Sequence, residues 1–280
     1  MRRDIRVSAV VLMCAAVAAA ATATATAPAR RRPPPRRGGV AAVIDKVMPA
    51  VVRVYGRRGK PFRGMGAGVI LAADGVIVTH TSNIAGVDEP TVVLNDGRRF
   101  KAAVLGTDAE TETALLRIPA AGLPIMRFAD SARVRPGQWV LAIGNPFGMA
   151  RETEDHLSAN LGVITAYSQV SAAGFKYRGY VFLTDAQINP GSYGGALVDL
   201  NGLLVALNGR VVTSKDTKTQ MGVAIPVNDV LPAVVRILKQ EKQRKEREQR
   251  EQRERTTSRP AAPRTRPVAT QPATGRAGPD

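Results

Sequence analysis

The sequence predicts an all-β fold, either a sandwich or a pair of barrels, built from short antiparallel strands. Three pairs of apolar runs are separated by dipeptides that supply the positive φ of tight hairpin turns, centred on Gly75, Gly97 and Gly202. Other short runs rich in β-branched residues predict further strands, at 113–120, 138–145, 161–168, 180–186 and 221–227. Turns spaced at about 8 to 12 residues favour this class over an alternating α/β fold.

The first 39 residues are expected to precede the folded domain. Residues 1–27 combine a basic start, an apolar run and A-x-A sites, which is typical of a secretory signal peptide. An uncleaved membrane anchor is the alternative, because the apolar stretch approaches the roughly 20 residues of a spanning helix. Residues 28–39 are rich in Pro and Arg and predict an extended linker. We therefore expect an exported protein of the periplasm or cell envelope.

The folded domain is predicted over residues 40–238. It opens with a helical stretch at 41–54 and closes with a helix for which Asn228 is a candidate cap. Residues 239–256 keep helical propensity without an apolar face, so we expect a solvated, salt-bridged helix or a fluctuating one. Residues 257–280 are predicted to be a disordered basic tail, and no second folded domain is expected after residue 238.

The net charge of +17 lies mostly in the two ends of the chain. Residues 1–39 hold 8 basic and 1 acidic residue, and residues 239–280 hold 12 and 6. Such ends favour adhesion to an anionic membrane or wall surface, or serve only as solvated linkers, and nucleic acid is not an expected partner. The single cysteine, Cys14, lies in the predicted signal, so we expect no disulfide, no thiol chemistry, no metal site and no cofactor.

Several separated segments resemble the HtrA/Deg family of trypsin-like envelope serine proteases. They are GAGVILAADGVIVTH at 66–80, LNDGRRFKAAVLGTDAETETALLRI at 94–118, WVLAIGNPFG at 139–148 and TDAQINPGSYGGALVDLNG at 184–202. The resemblance implies a trypsin-like double barrel, two six-stranded antiparallel β-barrels with the reactive cleft between them, together with a C-terminal helix and disordered tails. Many family members also carry a PDZ domain, which is not expected here.

All three positions of the family's catalytic triad are changed. The family's T-N-N-H motif places Ser82 at the histidine, its G-T-D-x-x-T-D motif places Glu112 at the aspartate, and its N-P-G-N-S-G-G motif places Tyr193 at the serine. A serine protease needs a nucleophilic hydroxyl, an imidazole base and an orienting carboxylate. A serine hydroxyl is no general base near neutral pH, and a phenol of pKa about 10 is a bulky, weak replacement nucleophile. The sequence thus predicts a pseudoprotease.

A displaced triad is the first alternative. His80 stands two residues before the expected histidine, and on a continuing strand it would lie about 6.6 Å from that position. Ser192 neighbours the nucleophile position, but its side chain is expected to point elsewhere. His156, on a polar loop, has no partners in the sequence that suggest a metal site.

The surrounding loop keeps the features of a binding site. The resemblance suggests an oxyanion-hole-like pocket formed by Gly191, Ser192 and Tyr193 through backbone N–H groups. Arg210 follows the strand that flanks the first substrate pocket of the family, where it either favours an acidic peptide or fills the pocket.

The predicted function is therefore binding without peptide hydrolysis. Extended peptides, unfolded proteins or partner proteins would pair with the edge of the cleft as an added strand. The alternatives are an active serine endopeptidase with a displaced triad, a structural envelope protein that adheres through its basic tails, and a regulatory subunit of an active relative.

Overall fold

The computed structural model describes residues 38–56, 65–150, 156–171, 175–213 and 220–257. The described residues belong to one compact unit that begins at Gly38. The predicted signal peptide, nearly all of the predicted linker and the tail beyond Thr257 lie outside the described residues.

The first sheet contains seven antiparallel strands. They are β1 Val51–Tyr55, β2 Met65–Ile70, β3 Val76–His80, β4 Thr91–Val93, β5 Arg99–Lys101, β6 Ala103–Asp108 and β7 Thr113–Arg117. Their order is β5-β4-β1-β2-β3-β7-β6. Apolar residues from one face of these strands, including Val52, Ile70, Ile77 and Leu116, form a buried cluster, because alternate residues of a strand share a face.

The second sheet closes on itself. Its strands are β8 Arg127–Phe128, β9 Trp139–Gly144, β10 Ser158–Gln169, β11 Tyr180–Thr184, β12 Ala196–Asp199, β13 Leu203–Thr213 and β14 Gln220–Pro226. The order is β12-β9-β10-β11-β14-β13-β8, and an additional β12–β13 pairing completes a six-stranded barrel. Strand β8 lies outside this barrel and pairs in parallel with β13.

The predicted fold class is confirmed, with one closed barrel and one curled half-barrel. In the first sheet the terminal strands β5 and β6 do not pair with each other among the described residues. The three predicted hairpins are present, and their glycines have φ values of 93° at Gly75, 89° at Gly97 and 77° at Gly202. A Cβ at Gly75 would lie 2.3 Å from the Ile118 carbonyl oxygen, so this turn requires glycine both for its conformation and for space.

The helix expected at 41–54 is shorter than predicted. Helix α1 spans Gly39–Val47, a 3₁₀ turn follows at Met48–Ala50, and β1 then begins at Val51. Pro49 lacks the N–H that a continuing helix needs, and the VVRVY run after it is rich in β-branched residues. Tertiary pairing with β2 and β4 therefore decides the conformation of this segment.

The C-terminal helix α2 spans Val227–Thr257 and has two distinct parts. Val230, Val234 and Ile237 are buried in its first part, whereas 15 of the 16 residues from Lys239 to Glu254 are exposed. The exposed part carries ion pairs at helical spacing, such as Arg244 with Glu248 at 3.6 Å. Across the described residues, no helix is both long enough and apolar enough to cross a membrane.

Asn228 does not act as the cap that the sequence suggests. It lies inside α2, one residue after the helix begins at Val227. Its side chain accepts a hydrogen bond from the Ser131 backbone N–H at 3.2 Å and donates one to Asp130 at 2.9 Å. The side chain of Asn228 therefore connects the start of α2 to the 3₁₀ turn at Ser131–Arg133 through hydrogen bonds.

Candidate active-site cleft

The loop between β11 and β12 is held mainly by its main chain. The Tyr193 carbonyl oxygen accepts a hydrogen bond from the Ala67 N–H at 3.0 Å, and the Gly194 N–H donates to the Asn208 carbonyl at 2.7 Å. Gly194 has a φ of 77°, and a Cβ there would lie 2.5 Å from the His80 nitrogen. The loop therefore keeps its shape independently of the side chain at position 193.

Tyr193, which the family motif aligns with the nucleophile, has a half-buried ring. The ring packs against the apolar cluster of the closed barrel, and its centroid lies 5.9 Å from that of His80. Burial raises the pKa of the phenol, outweighing the opposing effects of the Arg210 charge and of a hydrogen bond from the Val211 backbone N–H. The side chain is therefore a neutral phenol at neutral pH, and its oxygen is directed to Val211.

The three residues of the expected oxyanion loop have different roles. The Ser192 N–H is used in a turn, where it donates to the Asn189 carbonyl at 2.8 Å. In the part of the chain that the structure describes, the N–H groups of Gly191 and Tyr193 make no hydrogen bond. A Cβ at Gly144 would lie 2.6 Å from Ser192 Cβ, so this buried serine packs against β9.

His80 lies at the end of β3, fully buried, and contacts Ser82. Its Nδ1 is 2.7 Å from Ser82 Oγ and accepts a hydrogen bond from the Ser82 backbone N–H at 3.1 Å. The offset of about 6.6 Å between the two positions was predicted for a strand that continues. The strand instead ends at His80, and a 3₁₀ turn at Thr81–Asn83 folds Ser82 back toward the ring.

Glu112 lies in the turn between β6 and β7, on the other side of His80. Its Oε2 is 3.6 Å from His80 Nε2, which is an ion-pair distance rather than a hydrogen bond, and its Oε1 is 3.2 Å from Arg210 Nη2. Its carbonyl accepts a hydrogen bond from the Thr81 N–H at 2.8 Å. The turn therefore brings the carboxylate against both His80 and Arg210.

The carboxyl of Glu112 is held in its charged form. Burial by itself would raise the pKa, but the contact with His80, the charge of Arg210 and a hydrogen bond from the Lys176 backbone N–H outweigh burial. The pKa of Glu112 is therefore lower than its ordinary value.

Arg210 reaches the cleft from β13, but its guanidinium is not free. One of its Nη atoms binds Glu112, and its Nε is buried without a hydrogen-bond partner. Arg210 and Glu112 both line a pocket of about 820 Å³, together with Ser82 and Lys176. The sequence suggested that Arg210 selects an acidic peptide or fills the first pocket; its ion pair with Glu112 favours a role inside the wall of the cleft.

A second, smaller pocket of about 330 Å³ lies beside the nucleophile loop. It is lined by residues 184–189, Val211 and residues 220–222. It shares no lining residue with the larger pocket. Its position next to Val211 places it at the strand edge that the Tyr193 phenol contacts.

Asn83 is a structural centre of the cleft that the sequence analysis missed. Its buried amide donates to the Tyr193 carbonyl at 2.8 Å and to Thr79 Oγ1 at 2.9 Å. A Cβ at Gly66 would lie 2.1 Å from this amide, so β2 must carry glycine opposite it. No local signal in the sequence distinguished it, because Asn83 is the last of five consecutive polar residues, 79–83.

His156 is exposed, as expected for a loop histidine. Among the described residues, no group of three or more His, Cys, Asp or Glu side chains is placed to hold a metal ion.

Comparison with known proteins identifies the family. Residues 66–207 match the trypsin-like peptidase domain, and this span includes strands of both sheets as well as Ser82, Glu112 and Tyr193. The chain belongs to the trypsin-like peptidase family. Within that family, its relatives are of the HtrA/DegP type, which agrees with the resemblance of its motifs.

Two curated relatives and two solved structures illustrate the similarity. A probable periplasmic serine protease of Haemophilus influenzae is 38% identical over 190 residues, covering 66% of this chain and 40% of that protein. A probable periplasmic DegP-like endoprotease of Halomonas elongata is 37% identical, covering 59% and 33%. The HtrA-type protease AlgW with tripeptide has 34% identity and a TM-score of 0.62, covering 71% and 64%. The structure of AlgW with decapeptide has 30% identity and a TM-score of 0.62, covering 72% and 68%.

The match leaves more than half of each curated relative uncovered. The chain spans 40% of the length of the Haemophilus influenzae protein and 33% of the Halomonas elongata protein. The fold and the family are therefore shared, whereas activity, substrates and partners must be argued from the residues of this chain.

Proposed function

We propose that this protein is an exported HtrA/Deg-type homologue that binds extended peptides or partner proteins and does not hydrolyse them. The observation that carries the proposal is the environment of Tyr193. A half-buried, neutral phenol stands at the position that the family's N-P-G-N-S-G-G motif assigns to serine. A phenol with a raised pKa is a weak nucleophile, and its ring occupies space that a substrate carbonyl must enter.

The imidazole base that peptide hydrolysis requires is also not positioned to accept a proton from the Tyr193 hydroxyl. The two nitrogens of His80 face Ser82 and Glu112, and among the described residues neither nitrogen makes a hydrogen bond with the Tyr193 phenol. Activation of a hydroxyl requires an imidazole nitrogen within hydrogen-bond reach of that hydroxyl. This arrangement supports the loss of peptidase chemistry at position 193.

Binding is supported by an open strand edge. Strand β13 pairs with β12 only up to Leu207, and Asn208 continues this pairing through the Gly195 carbonyl. Residues 209–213 extend beyond it, and within the described residues no strand covers that side. An extended peptide gains main-chain hydrogen bonds by adding to such an edge and gains specificity from pockets for its side chains. The pocket of about 330 Å³ beside Val211 is large enough for one side chain.

The solved relatives favour a peptide as the ligand. The AlgW structures contain a tripeptide and a decapeptide. Since the curated relatives are described as periplasmic, we extend that location to this chain, with the predicted signal as its means of export. Adhesion of the basic ends to anionic membrane or wall material, and pairing with an active relative, are secondary proposals that rest on charge and on the retained cleft.

The test compares the mature protein with a variant in which the family triad is restored. The variant carries Tyr193→Ser, Ser82→His and Glu112→Asp, and both proteins are incubated with a chemically unfolded protein while fragments are counted by mass spectrometry. We expect no fragments from the wild type. Binding of a fluorescent extended decapeptide to the wild type, followed by anisotropy, is expected to saturate.

Two results would contradict the proposal. Cleavage by the wild type that persists through repeated purification and disappears in Tyr193→Phe would show that the phenol is catalytic. Failure of the wild type to bind any member of a decapeptide library would remove the binding function. A Ser168→Ala variant is the matched control, since Ser168 lies on β10 and its hydroxyl bonds only the Gln169 carbonyl.

A further inference from the structure

Glu112, His80 and Ser82 form a line of polar atoms in an order that differs from the motif positions of the family. The carboxylate faces one nitrogen of the imidazole at 3.6 Å, and the hydroxyl lies 2.7 Å from the other. Carboxylate, imidazole and hydroxyl in this order are the parts of a nucleophilic triad, which is recognised by geometry and not by sequence position.

The hydrogen bonds around His80 define which nitrogen carries the proton. The Ser82 backbone N–H donates to Nδ1 at 3.1 Å, so Nδ1 is an acceptor and carries no proton. The Ser82 hydroxyl, 2.7 Å from the same nitrogen, must then be the donor. The ring proton lies on Nε2 and faces Glu112. This is the tautomer in which an imidazole can accept a proton from a serine.

The contact between His80 and Glu112 is longer than a hydrogen bond, which agrees with an active site that holds no substrate. His80 Nε2 and Glu112 Oε2 are both buried and have no hydrogen-bond partner, although they face each other. Catalytic hydrogen bonds are often long in the absence of substrate and tighten when it binds. Glu112 also has a φ of 51°, a conformation that non-glycine residues adopt at a cost and that clusters at functional sites.

Ser82 opens onto the pocket of about 820 Å³. The side chain is only partly buried, unlike His80 beneath it. Two cations and two carboxylates line the pocket, so its formal charges balance and provide no net charge to select a charged ligand, and apolar side chains complete the wall. The charged residues are Lys176, Arg210, Asp88 and Glu112, and the apolar ones include Ile84, Val87 and Val104.

We infer that Ser82 is a nucleophile for acyl transfer from small uncharged esters, with His80 as its base and Glu112 as a positioning residue. Ser82 Oγ bonds to the ester carbonyl carbon while its proton moves to His80 Nδ1. When the adduct collapses, the bond to the alcohol oxygen breaks and the alcohol leaves with that proton. An acyl group remains on Ser82, and water removes it by the same steps, with His80 accepting and returning a proton.

This inference is independent of the proposed function. The pocket at Ser82 and the pocket at the nucleophile loop share no lining residue. Neither proposal includes peptide cleavage by residue 193, and peptide binding does not require Ser82. Either proposal can therefore fail while the other stands.

The experiment uses an alkyl fluorophosphonate, whose adduct with serine is stable. Ser82 Oγ bonds to phosphorus, the P–F bond breaks, fluoride leaves and the serine proton passes to His80. The mature protein is treated with the probe, and the modified residue is located by peptide mapping. His80→Gln and Ser82→Ala are compared with Ser168→Ala, a serine on β10 with no imidazole in its hydrogen-bond environment.

We expect the adduct on Ser82, none in Ser82→Ala, and unchanged labelling in Ser168→Ala. Labelling in His80→Gln is expected to be slower by about 100-fold or more, the usual contribution of a general base. NMR of isotope-labelled wild-type protein is expected to show the His80 proton on Nε2, with a low-field resonance that is lost in Glu112→Gln. An adduct on other residues only, equal labelling in His80→Gln, or a proton on Nδ1 would each overturn the inference.

Discussion

Arg210 of β13 binds Glu112 of the β6–β7 turn at 3.2 Å and so joins the two sheets through a carboxylate that is almost entirely buried. Removing one partner of a buried pair leaves an uncompensated charge, whereas removing both avoids that penalty. Because 33% of the Arg210 side chain is exposed to solvent, the penalty for removing one partner is smaller than for a fully buried pair.

We therefore expect Arg210→Met to lower the free energy of unfolding by about 2 kcal/mol. The double variant Glu112→Gln, Arg210→Met is expected to lose less than the sum of the two single variants. Urea denaturation of the four proteins measures this coupling. Strict additivity would show that the pair makes no net interaction.

The lowered pKa of Glu112 predicts a specific sensitivity to acid. A group whose pKa is depressed by folding contributes stability above its unfolded pKa, here 4.5, and loses that contribution as the pH falls through the lower folded value. We expect the stability difference between wild type and Glu112→Gln to shrink as the pH falls below 4.5. Denaturation at neutral and acidic pH measures the difference, and this subtraction cancels the other carboxyls. A difference that is constant with pH would contradict the lowered pKa.

Tyr193 is expected to restrict access to the β13 edge. Its half-buried ring lies near Arg210 and Val211, which both influence the pKa of the phenol and belong to the edge that an added peptide strand would use. Tyr193→Ala removes the ring and is expected to tighten decapeptide binding about fivefold, equivalent to about 1 kcal/mol. Tyr193→Phe keeps the ring and is expected to give a smaller gain. Weaker binding by Tyr193→Ala would instead make the ring part of the binding surface.

Gly194 is expected to be indispensable for the shape of the nucleophile loop. It has a φ of 77°, and a Cβ there would lie 2.5 Å from the His80 nitrogen and 2.6 Å from the Ala67 carbonyl oxygen. Gly86 has a similar φ of 72° but no atom within 4 Å, so it isolates the cost of backbone conformation. We expect Gly86→Ala to cost about 1 kcal/mol and Gly194→Ala at least about 3 kcal/mol, measured by denaturation. Equal costs would show that the loop yields to the methyl group.

The docking of α2 depends on its buried face. Ile237 is 1% exposed and lies against Gly106, where a Cβ would come within 2.8 Å of its side chain, whereas the adjacent Leu238 is 36% exposed. We expect Ile237→Ala to lower the free energy of unfolding by about 2 to 5 kcal/mol and Leu238→Ala by less than about 1 kcal/mol. Similar losses in both variants would show that α2 is rotated about its axis, so that Leu238 is buried as well as Ile237.

Local chemistry allowed the strands and hairpins to be predicted from the sequence. Gly75, Gly97 and Gly202 each mark a turn because few other residues tolerate their φ, and apolar runs on both sides indicate the paired strands. The segment at 51–54 was assigned to a helix although Pro49 and the β-branched residues after it favour a strand. Its partners β2 and β4 could not be read from the local sequence.

The sequence indicated which residues belong to the candidate site but not which of their side chains contact each other. Family motifs placed Ser82, Glu112 and Tyr193 together, and the structure brings all three around His80. The contact of His80 with Ser82 depends on a strand that ends at His80 and does not continue to Ser82, and the pairing of Arg210 with Glu112 joins residues 98 positions apart. Neither relationship leaves a periodic signal in the sequence.

The main-chain anchoring of the nucleophile loop makes residue 193 a convenient attachment point for chemistry. Ala67 and Asn83 bind the carbonyl of Tyr193, and Gly194 binds Asn208 through its amide, so these main-chain hydrogen bonds do not involve the side chain at position 193. Once the predicted signal with Cys14 is removed, a thiol introduced by Tyr193→Cys is the only one in the protein. Dyes, crosslinkers or spin labels attached at this point would report directly on ligands that bind along residues 209–213 of β13.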